Sequence, residues 1–116
     1  MSRTKDEFDV FFETRPWGSF HEYRSGVKML IVNANEAFSL QYHNHRAEFW
    51  EVLEGTPHIT IGDKIIEAKP GDRFLIPVKT VHRINGGPTG TKVFELATGH
   101  FDEDDIVRIE DKYGRN

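Results

Sequence analysis

The residues of this chain that could do chemistry are three histidines and a glutamate. His43, His45 and Glu48 follow the pattern His-x-His-x2-Glu, and His82 lies further along, in a stretch punctuated by glycine and proline. Side chains two positions apart in a β-strand point to the same face, so we expect His43 and His45 to lie side by side. Together with Glu48 and His82 they would form a shell of three imidazoles and one carboxylate. Such a shell binds one divalent metal ion, and its nitrogen and oxygen ligands suit Zn, Mn, Fe, Co or Ni.

The composition excludes several other kinds of site and partner. The chain has 116 residues, no cysteine and a formal net charge of −4. Without cysteine there is neither a disulfide framework nor thiolate-bound zinc, so any metal must be held by nitrogen and oxygen. The mild acidic balance, with no basic stripe, predicts no nucleic-acid partner.

Length and hydropathy predict one domain outside the membrane. No stretch approaches the roughly 20 apolar residues that a membrane span needs, and residues 1–9 lack the apolar region of a signal peptide. The length is that of a single domain. We therefore expect one cytoplasmic domain over 1–116, with a core at about 15–101, a C-terminal tail at 102–116 and no membrane partner.

The elements that must position the four side chains are predicted to be short β-strands. Apolar alternation marks the strands, and turn sequences such as Gly62-Asp63 and Pro70-Gly71 separate them. The predicted strands cover 27–32, 37–45, 48–53, 57–61, 64–68, 73–76, 80–84 and 92–97. Helical signal is confined to the ends, with a short helix or edge strand at 6–12 and a helical turn at 102–106. The even spacing predicts an all-β sandwich or barrel whose terminal segments are short and irregular or helical.

Two motifs in this pattern resemble those of the cupin superfamily. They are His43-x-His45-x2-Glu48-x6-Gly55 and Gly71-x5-Pro77-x4-His82-x2-Asn85. The gap before the glutamate is shorter than in most cupins, Lys79 stands where glycine is usual, and Asn85 comes one residue early. The resemblance implies a double-stranded β-helix, the jelly-roll barrel of cupins, with both motifs supplying metal ligands to its interior.

The shorter first motif is similar to that of type II mannose-6-phosphate isomerases. The segment 39–50 carries this resemblance, and further matches lie at 15–20, 60–63, 76–83 and 103–115. In that family the cupin is commonly fused behind a mannose-1-phosphate guanylyltransferase domain, whose Gly-rich phosphate loop is not found here. The resemblance implies a stand-alone isomerase cupin that uses one divalent metal ion. It would interconvert mannose 6-phosphate and fructose 6-phosphate for GDP-mannose and polysaccharide biosynthesis.

A phosphorylated sugar needs cations that receive its phosphate and groups that move its protons. The planar guanidinium of arginine bonds phosphate oxygens in pairs, and the candidates for this role are Arg46, Arg83, Arg108 and Arg115. The candidates for catalytic contact are Arg46, Lys28 and Gln41. The base that moves the proton stays open between Lys28, Arg46 and a hydroxide on the metal, and Glu51 is expected to face away from the site.

Two other functions stay open on the sequence alone. Cupin dioxygenases use the same kind of shell to bind iron and dioxygen, and a cupin without catalysis could bind sugars or regulate. Basic residues opposite the metal would favour a sugar phosphate, an apolar wall would favour a dioxygenase, and a plugged or metal-free barrel would favour a binding module. A homodimer is also expected, since small cupins commonly pair.

Overall fold

The computed structural model describes residues 3–5, 11–23, 26–99, 104–111 and 113, which contain twelve β-strands. The strands are β1 (Arg3–Lys5), β2 (Phe11–Arg15), β3 (Gly18–Tyr23), β4 (Val27–Val32), β5 (Leu40–Tyr42), β6 (Arg46–Glu54), β7 (His58–Ile61), β8 (Lys64–Glu67), β9 (Arg73–Ile76), β10 (His82–Asn85), β11 (Thr91–Gly99) and β12 (Val107–Glu110). The described residues include no helix of the length and hydropathy that crossing a membrane requires.

The strands form two antiparallel sheets. The larger sheet has seven strands in the order β1-β2-β3-β4-β11-β6-β9, and the smaller has five in the order β12-β5-β10-β7-β8. Several strands that follow one another in the chain, such as β5 and β6 or β10 and β11, therefore lie in different sheets. This arrangement confirms the predicted all-β fold, and its crossing connections are those of a jelly roll.

The apolar core is built from side chains that alternate with exposed ones. Burial has a period of two along β4 and β6 and through most of β11, as expected for strands with one face inside. The buried apolar cluster consists of Trp17, Phe20, Leu30, Val32, Phe38, Trp50, Val52, Ile59, Ala68, Ile76, Ile84 and Val93. Removing this surface from water is the main favourable contribution to folding.

Toward one end of the barrel the inward positions change from apolar to polar. Leu30 and Val93 face each other across β4 and β11, and one step along the same face Lys28 lies opposite Glu95. Glu48 on β6 belongs to this end too, and all three charged side chains are buried. Buried charges are costly unless they are paired, so this polar end is where a functional site is to be sought.

The terminal segments contribute strands that the sequence predicted only in part. Residues 102–103 lie outside the described residues, and 104–106 form a turn and irregular chain, so the helical turn predicted at 102–106 is not found where the chain is described. The next residues form β12, which pairs with β5. Of the predicted element at 6–12, residues 6–10 lie outside the described part, and 11–12 begin β2. The acidic run favoured a helix start, but the alternation of Val-Arg-Ile-Glu and the edge of β5 favour a strand.

In the loop between β9 and β10, a residue other than glycine adopts the left-handed backbone conformation. Lys79, which stands where the cupin pattern has glycine, has a φ of 61°. This conformation costs a residue with a side chain about 1–2 kcal/mol. The backbone N–H of Lys79 donates to the carbonyl oxygen of His43 at 2.7 Å. The loop therefore has a structural partner in the first motif that holds it in place.

Gly55, the last residue of the first motif, lies close to the backbone of Gly90, and its substitution tests how far this close approach stabilises the fold. Its φ is +86°, and an added Cβ would lie 2.1 Å from the carbonyl oxygen of Gly90. Gly62 also has a positive φ, but an added Cβ there meets nothing within 4 Å. We predict that Gly55→Ala lowers the free energy of unfolding by at least about 2 kcal/mol more than Gly62→Ala, because only the former adds a clash with backbone.

Equilibrium unfolding in urea measures both variants. Equal losses in the two would mean that the close approach of Gly55 to Gly90 does not constrain the fold.

Candidate metal centre

Three side chains of the predicted metal shell meet inside the polar end of the barrel. His43 follows the end of β5, Glu48 lies on β6 of the other sheet, and His82 is the first residue of β10. Pairing of β10 with β5 puts His82 opposite Gln41, two residues before His43. Their exposed fractions are 2% for His43, 2% for Glu48 and 1% for His82. The two sheets thus close over a buried carboxylate that lies between two imidazoles.

The donor atoms are close enough to share one ion. His43 Nε2 lies 3.4 Å from Glu48 Oε2, and His82 Nε2 lies 3.4 Å from Glu48 Oε1. One donor atom of each residue lies within 4.8 Å of the others. Two ligands that each lie about 2.1 Å from one ion are about 3–3.5 Å apart, so the observed spacing is suited to a divalent cation.

Backbone carbonyls fix the orientation of both imidazoles. His43 Nδ1 lies 2.5 Å from the carbonyl oxygen of Asp105, and His82 Nδ1 lies 2.9 Å from that of Thr80. A carbonyl can only accept a hydrogen bond, so each Nδ1 carries the proton and each Nε2 keeps its lone pair. This is the arrangement that orients histidine ligands in metal sites.

Two of the candidate metal-ligand atoms make no hydrogen bond within the described residues. His82 Nε2 and Glu48 Oε1 are buried and lack a hydrogen-bond partner there. Leaving such a group unsatisfied costs about 1–3 kcal/mol, and a bound cation would satisfy both. The residues present therefore fit a divalent metal ion.

The ionisation states also suit a metal. Burial lowers the pKa of His82 and keeps the ring in its neutral, ligating form. Burial alone would raise the pKa of Glu48, but the contacts of its carboxylate with the side chains of His43 and His82 outweigh it and bring the pKa well below its usual value. Neutral imidazoles and an ionised carboxylate are the forms that bind metal.

His45, predicted as the fourth ligand, is not brought to the other three. It is exposed, because the strand ends at Tyr42 and the chain bends at 44–45 before β6 begins. The rule that placed His43 and His45 on one face holds only within a continuous strand. The structure therefore offers two imidazoles and one carboxylate instead of three imidazoles and one carboxylate.

Asp105 holds this bend and was missed by the sequence analysis. Its carboxylate accepts the backbone N–H groups of Asn44 and His45, each at 2.9 Å. The hydrogen bond from Asn44 is the main cause of a lowered pKa of Asp105; desolvation opposes it, and the hydrogen bond from His45 adds to it. The same residue accepts the Nδ1 proton of His43, so the C-terminal segment positions a metal ligand. No local signal could have revealed this contact, because it joins distant parts of the chain.

Arg46 lies directly against the metal centre. Its Nε donates to Glu48 Oε2 at 3.2 Å, and its Nη2 donates to His43 Nε2 at 3.1 Å. The side chain is buried. Among the two roles predicted for Arg46, this position suits contact with the reacting part of a substrate better than binding of a distant phosphate.

A cavity of about 580 Å³ lies over the centre, a size typical of small-molecule sites. Of the remaining predicted site residues, Lys28, Gln41 and Arg108 line it. Arg83 does not line it: its guanidinium donates to the Phe38 carbonyl oxygen at 3.0 Å and to the Glu110 carboxylate at 3.1 Å, which ties β10 to β12. Arg115 lies outside the described residues.

Glu95 is a further cavity residue that the sequence analysis missed. It is buried opposite Lys28, and it accepts the indole N–H of Trp50 at 3.1 Å. Burial first, and then the charge of Glu48, raises the pKa of Glu95 to about 8. Period two along the predicted strand 92–97 would have placed it on the inner face with Val93, so this signal was present.

Substitution of the two histidines of the first motif is predicted to have opposite effects on metal binding. We expect His43→Ala to lose tight metal binding, because it removes one of the buried donors, and His45→Ala to retain it, because that side chain is exposed. Elemental analysis of the purified variants after dialysis against metal measures both. The reverse result, with metal lost in His45→Ala and kept in His43→Ala, would contradict the centre described above.

Comparisons with known proteins agree with this architecture. The family model described as "Mannose-6-phosphate isomerase C-terminal" matches residues 3–111. The alginate biosynthesis protein AlgA of Pseudomonas aeruginosa is 38% identical over 120 residues, which cover 98% of this chain and 24% of AlgA. The mannose-1-phosphate guanylyltransferase RfbM of Salmonella typhimurium is 38% identical over 116 residues, with 95% of this chain and 24% of RfbM covered.

The chain spans about a quarter of the length of these curated relatives. Among solved structures, oxalate decarboxylase from Bacillus subtilis superposes with a TM-score of 0.74 at 19% identity, over 94% of this chain and 32% of that one. This likeness concerns the fold alone. The fold is that of a cupin, and the chain belongs to the family of mannose-6-phosphate isomerase C-terminal domains.

Proposed function

We propose that this domain is a metal-dependent isomerase that interconverts mannose 6-phosphate and fructose 6-phosphate. The observation that carries the proposal is the donor set of His43, Glu48 and His82 on the wall of a polar cavity of about 580 Å³. Family membership supports the same reaction. The names of relatives that serve alginate and xanthan biosynthesis support a role in supplying polysaccharide precursors. The cytoplasmic location and the homodimer stay predictions.

The reaction moves a proton between C1 and C2 of the sugar and another between O1 and O2. A divalent cation, when bound, supplies Lewis acidity toward the sugar oxygens. The protein must then orient the sugar, receive its phosphate and carry protons within hydrogen-bond reach of C1 and C2.

We assign proton transfer to the carboxyl group of Glu95. It lines the cavity on the strand next to that of Glu48, and the Trp50 indole holds it in place. The other carboxyl groups on the cavity wall are placed differently: Glu13 pairs with Arg15, Glu48 belongs to the metal centre, and Asp104 is exposed. Glu95 is therefore the carboxyl group best placed to take a proton from one sugar carbon and return it to the other.

We predict that Glu95→Gln lowers kcat by about 10²-fold or more while metal content stays unchanged. The amide keeps the size of the side chain and can still accept from Trp50, but it cannot carry the proton. Steady-state kinetics with elemental analysis measures both quantities. A kcat close to that of the parent protein would remove Glu95 from this role.

Besides Arg46, Arg108 is the predicted phosphate ligand that lines the cavity. Hydrogen bonds to a charged group contribute about 1.5–3 kcal/mol, so Arg108→Gln is predicted to raise KM for mannose 6-phosphate by about tenfold or more. Arg73→Gln is the matched control, since Arg73 pairs with Glu51 on the exposed surface. An unchanged KM in Arg108→Gln would mean that the phosphate binds elsewhere.

The proposal as a whole is tested by turnover before and after removal of metal. Chelator-treated protein should lose conversion of mannose 6-phosphate to fructose 6-phosphate, and added Mn²⁺, Co²⁺ or Zn²⁺ should restore it. Full activity after complete metal loss would contradict the mechanism. Metal binding without isomerisation would point to other sugars or to oxygen chemistry, and neither metal nor turnover would favour the binding module. The dioxygenase alternative predicts an apolar wall, whereas most residues on this wall are polar or charged.

A further inference from the structure

One atom at the metal centre has two competing uses. His43 donates its Nδ1 proton to Asp105, so Nε2 holds the only lone pair that the neutral ring can offer. Arg46 Nη2 donates to this same nitrogen at 3.1 Å. A metal ion bound by His43 would need the lone pair that Arg46 uses.

Glu48 is not contested in the same way. A carboxylate has two oxygens with several lone pairs, and Arg46 Nε contacts only Oε2, at 3.2 Å. The other oxygen, Oε1, faces His82. Arg46 could therefore keep its hydrogen bond to Glu48 while it releases His43.

We propose that the Arg46 guanidinium and a divalent metal ion compete for Nε2 of His43, so that metal binding displaces one end of Arg46 from the centre. The inference rests on the metal centre of the proposed function and not on the identity of the sugar. It gives Arg46 a second role: the guanidinium is a counter-charge for the buried Glu48 carboxylate when no ion is bound. Buried carboxylates require such a partner.

Arg46 could compete with the metal or could only orient the metal ligands. These two roles predict opposite changes in metal affinity when the side chain is removed. A residue that only orients metal ligands lowers metal affinity by 10–100-fold when it is removed. A competitor raises the affinity when it is removed, because the metal no longer has to break a charge-assisted hydrogen bond. The direction of the change therefore decides between the two.

The experiment is a calorimetric titration of chelator-treated protein with Zn²⁺ and with Mn²⁺. We expect Arg46→Met, which keeps much of the side-chain volume but has no donor, to bind the ion about tenfold or more tightly than the parent protein. Arg73→Met, altered at an exposed ion pair, is expected to match the parent. Arg46→Lys keeps a charge for Glu48 without the fork that reaches both residues, and it should also bind more tightly. This second variant serves if Arg46→Met does not fold without metal.

Each outcome bears on the proposal. Tighter binding in either folded Arg46 variant supports competition, and equal or weaker binding in both overturns it. Failure of the parent protein to bind either ion would overturn the metal centre itself, and with it the proposed function. A parent protein that binds metal but does not isomerise the sugar phosphate would contradict the proposed function alone, because the titration would still report on Arg46.

Discussion

The buried carboxylate of Glu48 is the constraint on which this end of the barrel depends. An anion with 2% of its surface exposed needs compensating donors or charges from every side. Arg46 on β6 supplies one such charge, and a cation shared with His43 after β5 and His82 on β10 would supply another, so both sheets contribute. The carboxylate thereby joins the two sheets at the point where the core turns from apolar to polar. A site of this kind is assembled only when the whole barrel has closed.

Backbone groups fix the orientation of the side chains at this site. Carbonyl oxygens of Asp105 and Thr80 select the imidazole tautomers, and the N–H of Lys79 holds the carbonyl of His43. Asp105 comes from the C-terminal segment, which continues into β12 at the edge of the smaller sheet. This segment therefore helps to position His43, and it also brings Arg108 to the cavity wall.

Local patterns predicted most of the framework. The strands at 27–32 and 73–76 are found with the predicted bounds, because period-two burial and the flanking turns define them without distant contacts. His43, Glu48 and His82 were selected correctly as a group that meets in space. His45 lies apart from them, since the segment that was expected to be one continuous strand bends at 44–45. Asp105 and the pairing of β12 could not be predicted, because they depend on a contact between residues far apart in the chain.

The imidazoles of His43 and His82 and the carboxylate of Glu48 would together hold one metal ion in the barrel. The most direct measurement is a crystal structure of the protein with Mn²⁺ or Zn²⁺, with anomalous scattering used to locate the ion. We expect one strong peak within ligand distance of both Nε2 atoms and of Glu48, with Arg46 Nη2 no longer bonded to His43. A peak at His45, or no peak within the barrel, would contradict it.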